Sequence, residues 1–213
     1  NLDNLYSLLA DYGVEANEGV VVEPDREHYS LQGPLSLLAT MNSHAITDSL
    51  MDENYYPTMP ISLGLTIPQD SESVTALLTT SESAFSKLDG YDMTDYEKEG
   101  GDINGPFALA VSIDTAGEGQ IVWFTSSHFL DDMHNAVSSG ANANLSMNAL
   151  SSLIGETEAM AIRSKSLNYN YLTISDSTAS LLKVLMIGVF PLAYLGIGVV
   201  VALRRRRLQN EPV

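Results

Sequence analysis

The longest hydrophobic pattern lies near the end of the chain, where residues 184–203 contain no charge. At 1.5 Å of rise per residue such a helix spans roughly 30 Å, the thickness of the hydrocarbon core of a bilayer. A membrane helix tolerates Pro191 where neighbouring groups satisfy the freed carbonyl. Gly188, Gly196 and Gly198 predict a small-residue face on which a partner helix packs closely. The pattern favours one transmembrane helix over the alternative, a helix buried in a large soluble core.

The span is followed at once by four arginines: Arg204, Arg205, Arg206 and Arg207. Positive residues beside a membrane span are retained in the cytoplasm. We therefore expect residues 204–213 to form a cytoplasmic basic tail. Residues 176–183 are then a juxtamembrane linker, and residues 1–175 are a domain outside the membrane.

Shorter apolar runs, separated by turn residues, predict alternating helices and strands in this outer domain. Leucines at 2, 5, 8 and 9 have helical spacing, and Gly13 stands where a C-cap glycine would. Strands are predicted at 20–22, 61–67, 74–80, 105–113 and 120–125, and a second helix at 144–154. The last two strands form a predicted hairpin about 117–119, and their nearly continuous apolar character indicates a sheet covered on both faces.

Several segments are less regular, and their predictions are coarser. Residues 34–40 form a strand or a short helix, and residues 42–51 a helical turn capped by Asn42 or Ser43. We further expect a proline-bounded loop at 55–60, an acidic loop at about 89–104 and short strands at 159–163 and 171–174.

Composition narrows the function classes. The net charge is -17, and the basic tail contains four of the ten basic residues. So acidic an outer domain repels nucleic acid and does not lie flat on anionic lipid. We interpret the acidic residues as a means of keeping the outer domain soluble, and cation binding is the alternative. Cysteine is absent, which excludes disulfides and thiolate chemistry. Because no methionine precedes Asn1, we expect a piece of a longer protein.

A set of motifs resembles a known family. They are Leu78-Thr-Thr-Ser-Glu-Ser-Ala-Phe85, Gly105-Pro-Phe-Ala-Leu-Ala-Val111, Ile121-Val-Trp-Phe-Thr-Ser-Ser-His-Phe-Leu130, Asn142-Ala-Asn-Leu-Ser-Met-Asn-Ala-Leu-Ser-Ser-Leu-Ile-Gly155 and the span with its arginines. In this order they resemble the GldG-like, gliding-motility-type auxiliary component of ABC transporters, from about Tyr12 to Arg207.

The resemblance implies the C-terminal part of an extracytoplasmic α/β domain in a bacterial cell membrane. Its fold would be partly flavodoxin-like, similar to the class I amidotransferase layer, with N-terminal strands and an upstream span missing from this chain. The implied partners are an ABC permease and an ATPase subunit, besides the bilayer. The chain departs from the family at 126–129, where a Gly-Asp-Ser-Asp-Phe-like loop is more usual.

Candidate chemistry lies mainly in the loop after the last predicted strand. Ser126, Ser127, His128 and Asp131 contain the residue types of nucleophilic hydrolysis, and ligands of open α/β sheets bind beyond strand ends. No G-x-S-x-G elbow accompanies them, so a polar loop that caps the next helix is the favoured interpretation.

A second polar cluster, Thr80 and Ser81, follows an earlier strand. Its hydroxyls either contact a small polar ligand or satisfy the backbone of a turn, and the second interpretation is favoured. A metal held by His128 and His134 is disfavoured, because residues six apart do not share a helix face. The acidic loop lacks EF-hand spacing.

We therefore predict a non-catalytic accessory subunit without cofactor or metal, which acts by interaction with the permease, the substrate or both. No Walker A motif is present, so ATP hydrolysis is expected on a separate subunit. Two alternatives stay open: a membrane-tethered amidotransferase-like or hydrolase enzyme, and a structural protein of the cell envelope.

Overall fold

The computed structural model describes residues 2–68, 71, 73–115, 119–155 and 176–209. The chain divides into two units, Asn1–Asn170 and Tyr171–Val213. The strands predicted at 159–163 and 171–174 lie outside the described residues, as does most of the predicted turn at 117–119.

The first unit combines helices and strands. Its described helices are α1 (Asp3–Asp11), α2 (Asp48–Asp52), α3 (Asp132–Val137) and α4 (Ala141–Leu153). Its described strands are β1 (Glu15–Ala16), β2 (Val20–Val22), β3 (Ser36–Leu38), β4 (Thr40–Met41), β5 (Thr58–Pro60), β6 (Leu65–Thr66), β7 (Val74–Thr79), β8 (Phe85–Lys87), β9 (Ile103–Asn104), β10 (Ala108–Asp114) and β11 (Gln120–Phe124).

The strands form three sheets. The main sheet has the order β1-β6-β10-β7-β4, with β11 also paired to β10; the smaller sheets are β2-β8-β9 and β3-β5. Every pairing among the described strands is antiparallel. The mixed helix-and-sheet class is therefore confirmed. A flavodoxin-like layer is built on parallel strands, so these pairings do not confirm that finer assignment.

Strand β10 is the centre of the main sheet and is buried on both faces. Leu109 and Ala110 join a core that includes residues of α2 and α4. Ala108, Val111 and Ile113 join a second core, which includes Leu9 of α1. Helices thus cover both faces, as the continuous apolar pattern predicts. The register with β7 shifts on either side of Ala110, which accounts for the break in the alternation between the two cores.

The end of α1 follows from its sequence. The N–H of Gly13 donates to the carbonyl of Ala10 at 2.9 Å, and that of Val14 to the carbonyl of Leu9 at 3.0 Å. This is a Schellman motif, in which Gly13 takes a left-handed φ of +79°. Leu9 and Val14 are both fully buried, as the motif favours, and the predicted C-cap glycine is confirmed.

Side-chain amides of α4 connect it to neighbouring elements. Asn142 accepts from the N–H of Thr58 at 2.8 Å and donates to the carbonyl of the same residue at 3.0 Å. Asn148 donates to the carbonyl of Ile46 at 2.8 Å. Because these amides are buried, each bond satisfies a group that would otherwise cost free energy.

Three local predictions are wrong. Residues 55–60 are not only a loop, because Thr58–Pro60 pair with β3 and Asn142 satisfies Thr58 from the other side. The strand predicted at 61–67 is reduced to Leu65–Thr66, since Ile61 takes a left-handed φ of +46°. Neither Asn42 nor Ser43 caps a helix: α2 begins at Asp48, whose carboxylate accepts from the Ser43 hydroxyl at 2.9 Å.

The second unit is helical where it is described. Helix α5 (Asp176–Lys183) continues through a π-helical segment (Val184–Val189) into α6 (Phe190–Gln209). Pro191 has no N–H to donate to the carbonyl of Ile187. This missing bond accounts for the altered helical hydrogen-bond pattern in the π-helical segment. The stretch Ser180–Arg205 contains an 18-residue window with a mean hydropathy of 2.4, and it is long and apolar enough to cross a membrane.

The glycines of this helix do not share one face. Gly196 and Gly198 are two residues apart, so at 3.6 residues per turn they face nearly opposite sides. The prediction of one common small-residue face is therefore wrong for this pair. At both positions an added Cβ would meet nothing within 4 Å.

Gly19, beside β2, lies so close to the backbone of Lys87 that we expect it to tolerate no side chain. A Cβ on Gly19 would lie 2.3 Å from the carbonyl oxygen of Lys87, at a φ of +94°. We expect Gly19→Ala to lower the free energy of unfolding by at least about 3 kcal/mol, measured by urea titration of Trp123 fluorescence in neutral detergent.

Gly33→Ala is the matched control, because Gly33 also has a left-handed φ, +111°, but open space around it. Backbone strain alone should cost about 1 kcal/mol there. Equal losses for the two variants would contradict the assigned steric role of Gly19.

Candidate functional site

The hydroxyl of Ser126 is engaged in local structure. It is buried, donates to the carbonyl oxygen of Pro60 and accepts from the N–H of His128 at 3.2 Å. The first bond holds the turn after β11 against the end of β5, and the second closes the turn itself. The hydroxyl therefore satisfies backbone groups within and beside its own loop. The predicted capping of the next helix is wrong, because the N-cap residue of α3 is Asp131 and its side chain makes no capping hydrogen bond.

His128 forms a surface pair with Asp131. Its Nδ1 lies 3.0 Å from Oδ2 of Asp131, and both side chains are about half exposed. Ser127 beside them is exposed. Across the described ranges, no bond joins the imidazole ring of His128 to a serine hydroxyl, so the residues there do not assemble a nucleophile with its base.

His134 lies in the first turn of α3 and is partly buried. Burial lowers its pKa; the charge of Asp131 opposes that shift, and His128 adds to it. Its Nδ1 has no hydrogen-bond partner within the part of the chain that the structure describes. In the same part, no three His, Asp or Glu side chains come together as a metal site would require.

Thr80 and Ser81 belong to a separate network around a buried acid. The Thr80 hydroxyl accepts from the N–H of Phe107 at 2.9 Å. The Ser81 hydroxyl donates to Oε1 of Glu23 at 2.8 Å, and its N–H lies 3.3 Å from Oε2. Glu23 is 1% exposed and also accepts from the N–H of Asp25 at 3.1 Å. These bonds attach the end of β2 to the turn before β8.

Sequence analysis did not single out Glu23. The sequence feature that could have indicated a buried Glu23 is its position between the fully apolar strand β2 and a proline. A buried acid needs polar partners, and the serine-rich turn supplies them: Ser83 also lies 3.3 Å from Oε1. Within the described residues, no hydrogen bond joins this network to the loop around Ser126, so the predicted site residues form two clusters.

A surface groove in the described part of the structure lies beside a different segment. An open groove of about 260 Å³ has Val20, Leu35 and Ile61 on one side. The other side belongs to the β8–β9 loop, residues 88–102, and consists of Gly90, Tyr91, Met93, Thr94 and Tyr96. Tyr91 is 81% exposed and Tyr96 49% exposed, so the groove presents aromatic surface to solvent.

One wall of this groove contains a strained backbone position. Ile61 has a φ of +46°, which a β-branched residue rarely adopts. Its N–H donates to the carbonyl of Leu35 at 2.8 Å, and Ser126 binds the preceding carbonyl, that of Pro60. The surrounding bonds hold the strain in place.

The other wall is held by a buried lysine. The side chain of Lys87 is 1% exposed, and its Nζ lies 2.9 Å from Oε1 of Glu99, 3.3 Å from Oδ1 of Asp95 and 2.6 Å from the carbonyl oxygen of Glu97. Asp102 closes the loop by accepting from the N–H groups of Leu88 and Glu99. We call the three contacts of the Lys87 ammonium group, with Asp95, Glu97 and Glu99, the Lys87 cage.

The pKa shifts follow these contacts. The hydrogen bond to Glu99 raises the pKa of Lys87, against the opposing effect of burial. The N–H of Glu97, followed by Lys87, lowers the pKa of Asp95. Burial alone would raise the pKa of Asp102, but the N–H groups of Glu99 and Leu88 outweigh it and the net shift is downward.

Comparisons with known proteins give little similarity. No family profile matches the chain, and no curated protein matches it. A solved structure described as the mmIFT52 N-terminal domain is similar at a TM-score of 0.46 and 16% sequence identity. That match covers 70% of this chain and 56% of the other, so this chain spans little more than half of that structure.

Ser126 provides a test of its structural role. Ser126→Ala leaves the buried carbonyl of Pro60 without its donor, which costs about 1–3 kcal/mol. We expect a loss of that size in the free energy of unfolding, followed by Trp123 fluorescence. Ser127→Ala, one residue further on and exposed, should change it by less than about 0.5 kcal/mol. Equal stability of the two variants would remove the assigned role.

The Lys87 cage predicts a specific weakness of the β8–β9 loop. Lys87→Met keeps most of the apolar stem but removes the cation that holds Asp95 and Glu99. We expect limited proteolysis within residues 88–102 to become at least about fivefold faster, because the loop opens more often. Lys98→Met is the matched control, since Lys98 binds only Asn104 among the described residues. Equal acceleration by both variants would contradict the cage.

The cage also predicts a pH dependence. The lowered pKa of Asp95 means that its stabilisation is present above its ordinary value of 3.8 and is lost as the pH falls through the lower folded value. The raised pKa of Lys87 means that its stabilisation is lost as the pH rises above 10.5. Between pH 3.8 and 10.5 the ratio of the cleavage rate of Lys87→Met to that of the wild type should therefore be constant. Below pH 3.8 this ratio should decline towards one.

Proposed function

We propose that this chain is a non-catalytic, membrane-anchored accessory subunit of an ABC transport system. Its outer domain acts by interaction with the permease, with the transported substrate or with both. The subunit resides in a bacterial cell membrane, with residues 1–175 outside and the arginines 204–207 in the cytoplasm. ATP hydrolysis belongs to a separate subunit.

The observation that carries the proposal is the candidate span Ser180–Arg205, 26 residues that end in arginines. It supports a tethered protein, and the positive residues at its end support the proposed orientation. The engaged hydroxyls of Ser81 and Ser126 support a role without catalysis, since neither is bonded to a histidine ring in the described part. The assignment to ABC transport rests on the resemblance of the sequence motifs.

The finer fold assignment belongs to the same proposal. A flavodoxin-like or amidotransferase-like layer requires parallel strands, and the described pairings are antiparallel. We propose that the first unit is nevertheless a partial layer of this kind. Helices on both faces of β10 support this, because α/β layers are covered on both faces.

An affinity purification in mild detergent tests the function. The protein, with any flanking sequence it has in its natural form, is isolated from its source membranes, and co-purifying chains are identified by mass spectrometry. We expect a P-loop ATPase and a polytopic permease. Recovery of the protein alone at matched expression would overturn the proposal in favour of the enzyme or the envelope protein.

A substitution at Gly196 adds a test of the helix contact to the same experiment. Gly196→Leu should reduce recovery of the permease at least about fivefold, because close packing of two membrane helices needs a small residue. Gly198→Leu is the matched control on nearly the opposite side, and at neither position would an added Cβ come within 4 Å of an atom outside the local helix backbone. Full recovery with both variants would reject Gly196 as the contact; equal loss would indicate a general effect on the helix.

A further inference from the structure

We infer that the groove beside the β8–β9 loop is a docking site for a cationic polypeptide segment that inserts an apolar side chain. This inference goes beyond the transport proposal, and its test needs neither permease nor ATPase. Failure of peptide binding would therefore leave the transport proposal standing, and the reverse also holds.

The size and lining of the groove indicate a side chain as its occupant. A volume of about 260 Å³ is below the roughly 300–1,000 Å³ typical of small-molecule pockets. Val20, Leu35, Ile61 and Met93 provide apolar surface at one place. Tyr91, although aromatic, is 81% exposed, and tyrosine is enriched where one protein surface binds another.

The charge of the loop defines the chemistry of the partner. Residues 88–102 contain six carboxylates. Asp95 and Glu99 bind Lys87, and Asp102 binds backbone N–H groups.

The other three carboxylates are Asp89, Asp92 and Glu97. They are exposed, and in the described residues their side chains make no hydrogen bond or ion pair. Each is next in the sequence to a residue that lines the groove: Asp89 to Gly90, Asp92 to Tyr91 and Glu97 to Tyr96. Negative charge next to an apolar lining fits lysine or arginine beside an apolar side chain.

Both walls are held in place before any partner arrives. The Lys87 cage fixes the loop that presents Tyr91, and hydrogen bonds fix Ile61 in its strained conformation. A preformed surface loses little conformational entropy on binding, which favours affinity. Strain retained at such a wall is typical of binding sites.

A peptide titration tests the inference with the full chain in dodecyl maltoside. The probe is fluorescein-labelled Gly-Lys-Leu-Lys-Leu-Lys-Gly, followed by anisotropy at low and high salt. We expect saturable binding that weakens with salt. Tyr91→Ser should weaken it at least about fivefold. The triple variant Asp89→Asn/Asp92→Asn/Glu97→Gln should weaken it and flatten its salt dependence.

Controls separate the groove from the general acidity of the protein. Tyr56→Ser removes another exposed tyrosine outside the groove, and Asp11→Asn/Glu15→Gln/Asp52→Asn removes three exposed carboxylates outside the loop. Both should bind the probe as the wild type does. All substituted side chains are exposed, so circular dichroism should show folded variants.

Four outcomes would overturn the inference. These are no binding above that of empty micelles, equal weakening by the two triple variants, no effect of Tyr91→Ser, or equal binding of probes in which glutamate replaces lysine or serine replaces leucine. The last outcome would show that the groove does not select a cationic apolar segment.

Discussion

The structure of the first unit depends on the burial of β10 on both faces. Leu109 and Val111, both fully buried, belong to different cores, so one strand links the helices on the two sides of the main sheet. Burial of a large aliphatic side chain contributes about 1.5–3 kcal/mol. A polar residue in this strand therefore needs an internal partner: Ser112, buried here, accepts from the amide of Gln120 on β11 at 3.0 Å.

Two buried ionisable side chains hold together the small sheet β2-β8-β9 and the loops beside it. Glu23 binds the serines before β8, and Lys87 at its end binds the loop after it. Both side chains are almost fully buried, and an isolated buried charge is costly. Each is therefore surrounded by hydrogen-bond partners, and the segments that provide those partners are held in one conformation. The groove owes its shape to this requirement rather than to apolar packing alone.

The sequence predicted what local patterns determine. The leucine spacing with Gly13, the β10–β11 hairpin and the candidate span all depend on neighbours within a few residues. The strand at Thr58–Pro60 depends on Asn142, 84 residues away, which no local pattern reveals. The site was predicted less well for the same reason: Ser126 and Ser81 were identified as polar loop residues, but Pro60 and Glu23, their distant partners, decide what the hydroxyls do. Lys87 was missed because a lone lysine gives no sign of burial until the loop closes over it.

The link between Ser126 and Ile61 shows how the two features constrain each other. The Ser126 hydroxyl binds the carbonyl of Pro60, and the next residue is the strained Ile61. A left-handed conformation costs a β-branched residue about 1–3 kcal/mol, so it persists only where several bonds oppose its relaxation. Here those bonds come from Leu35, just before β3, on one side and from the loop after β11 on the other. The hydroxyl that looks like a nucleophile in the sequence is better understood as part of the support for one wall of the groove.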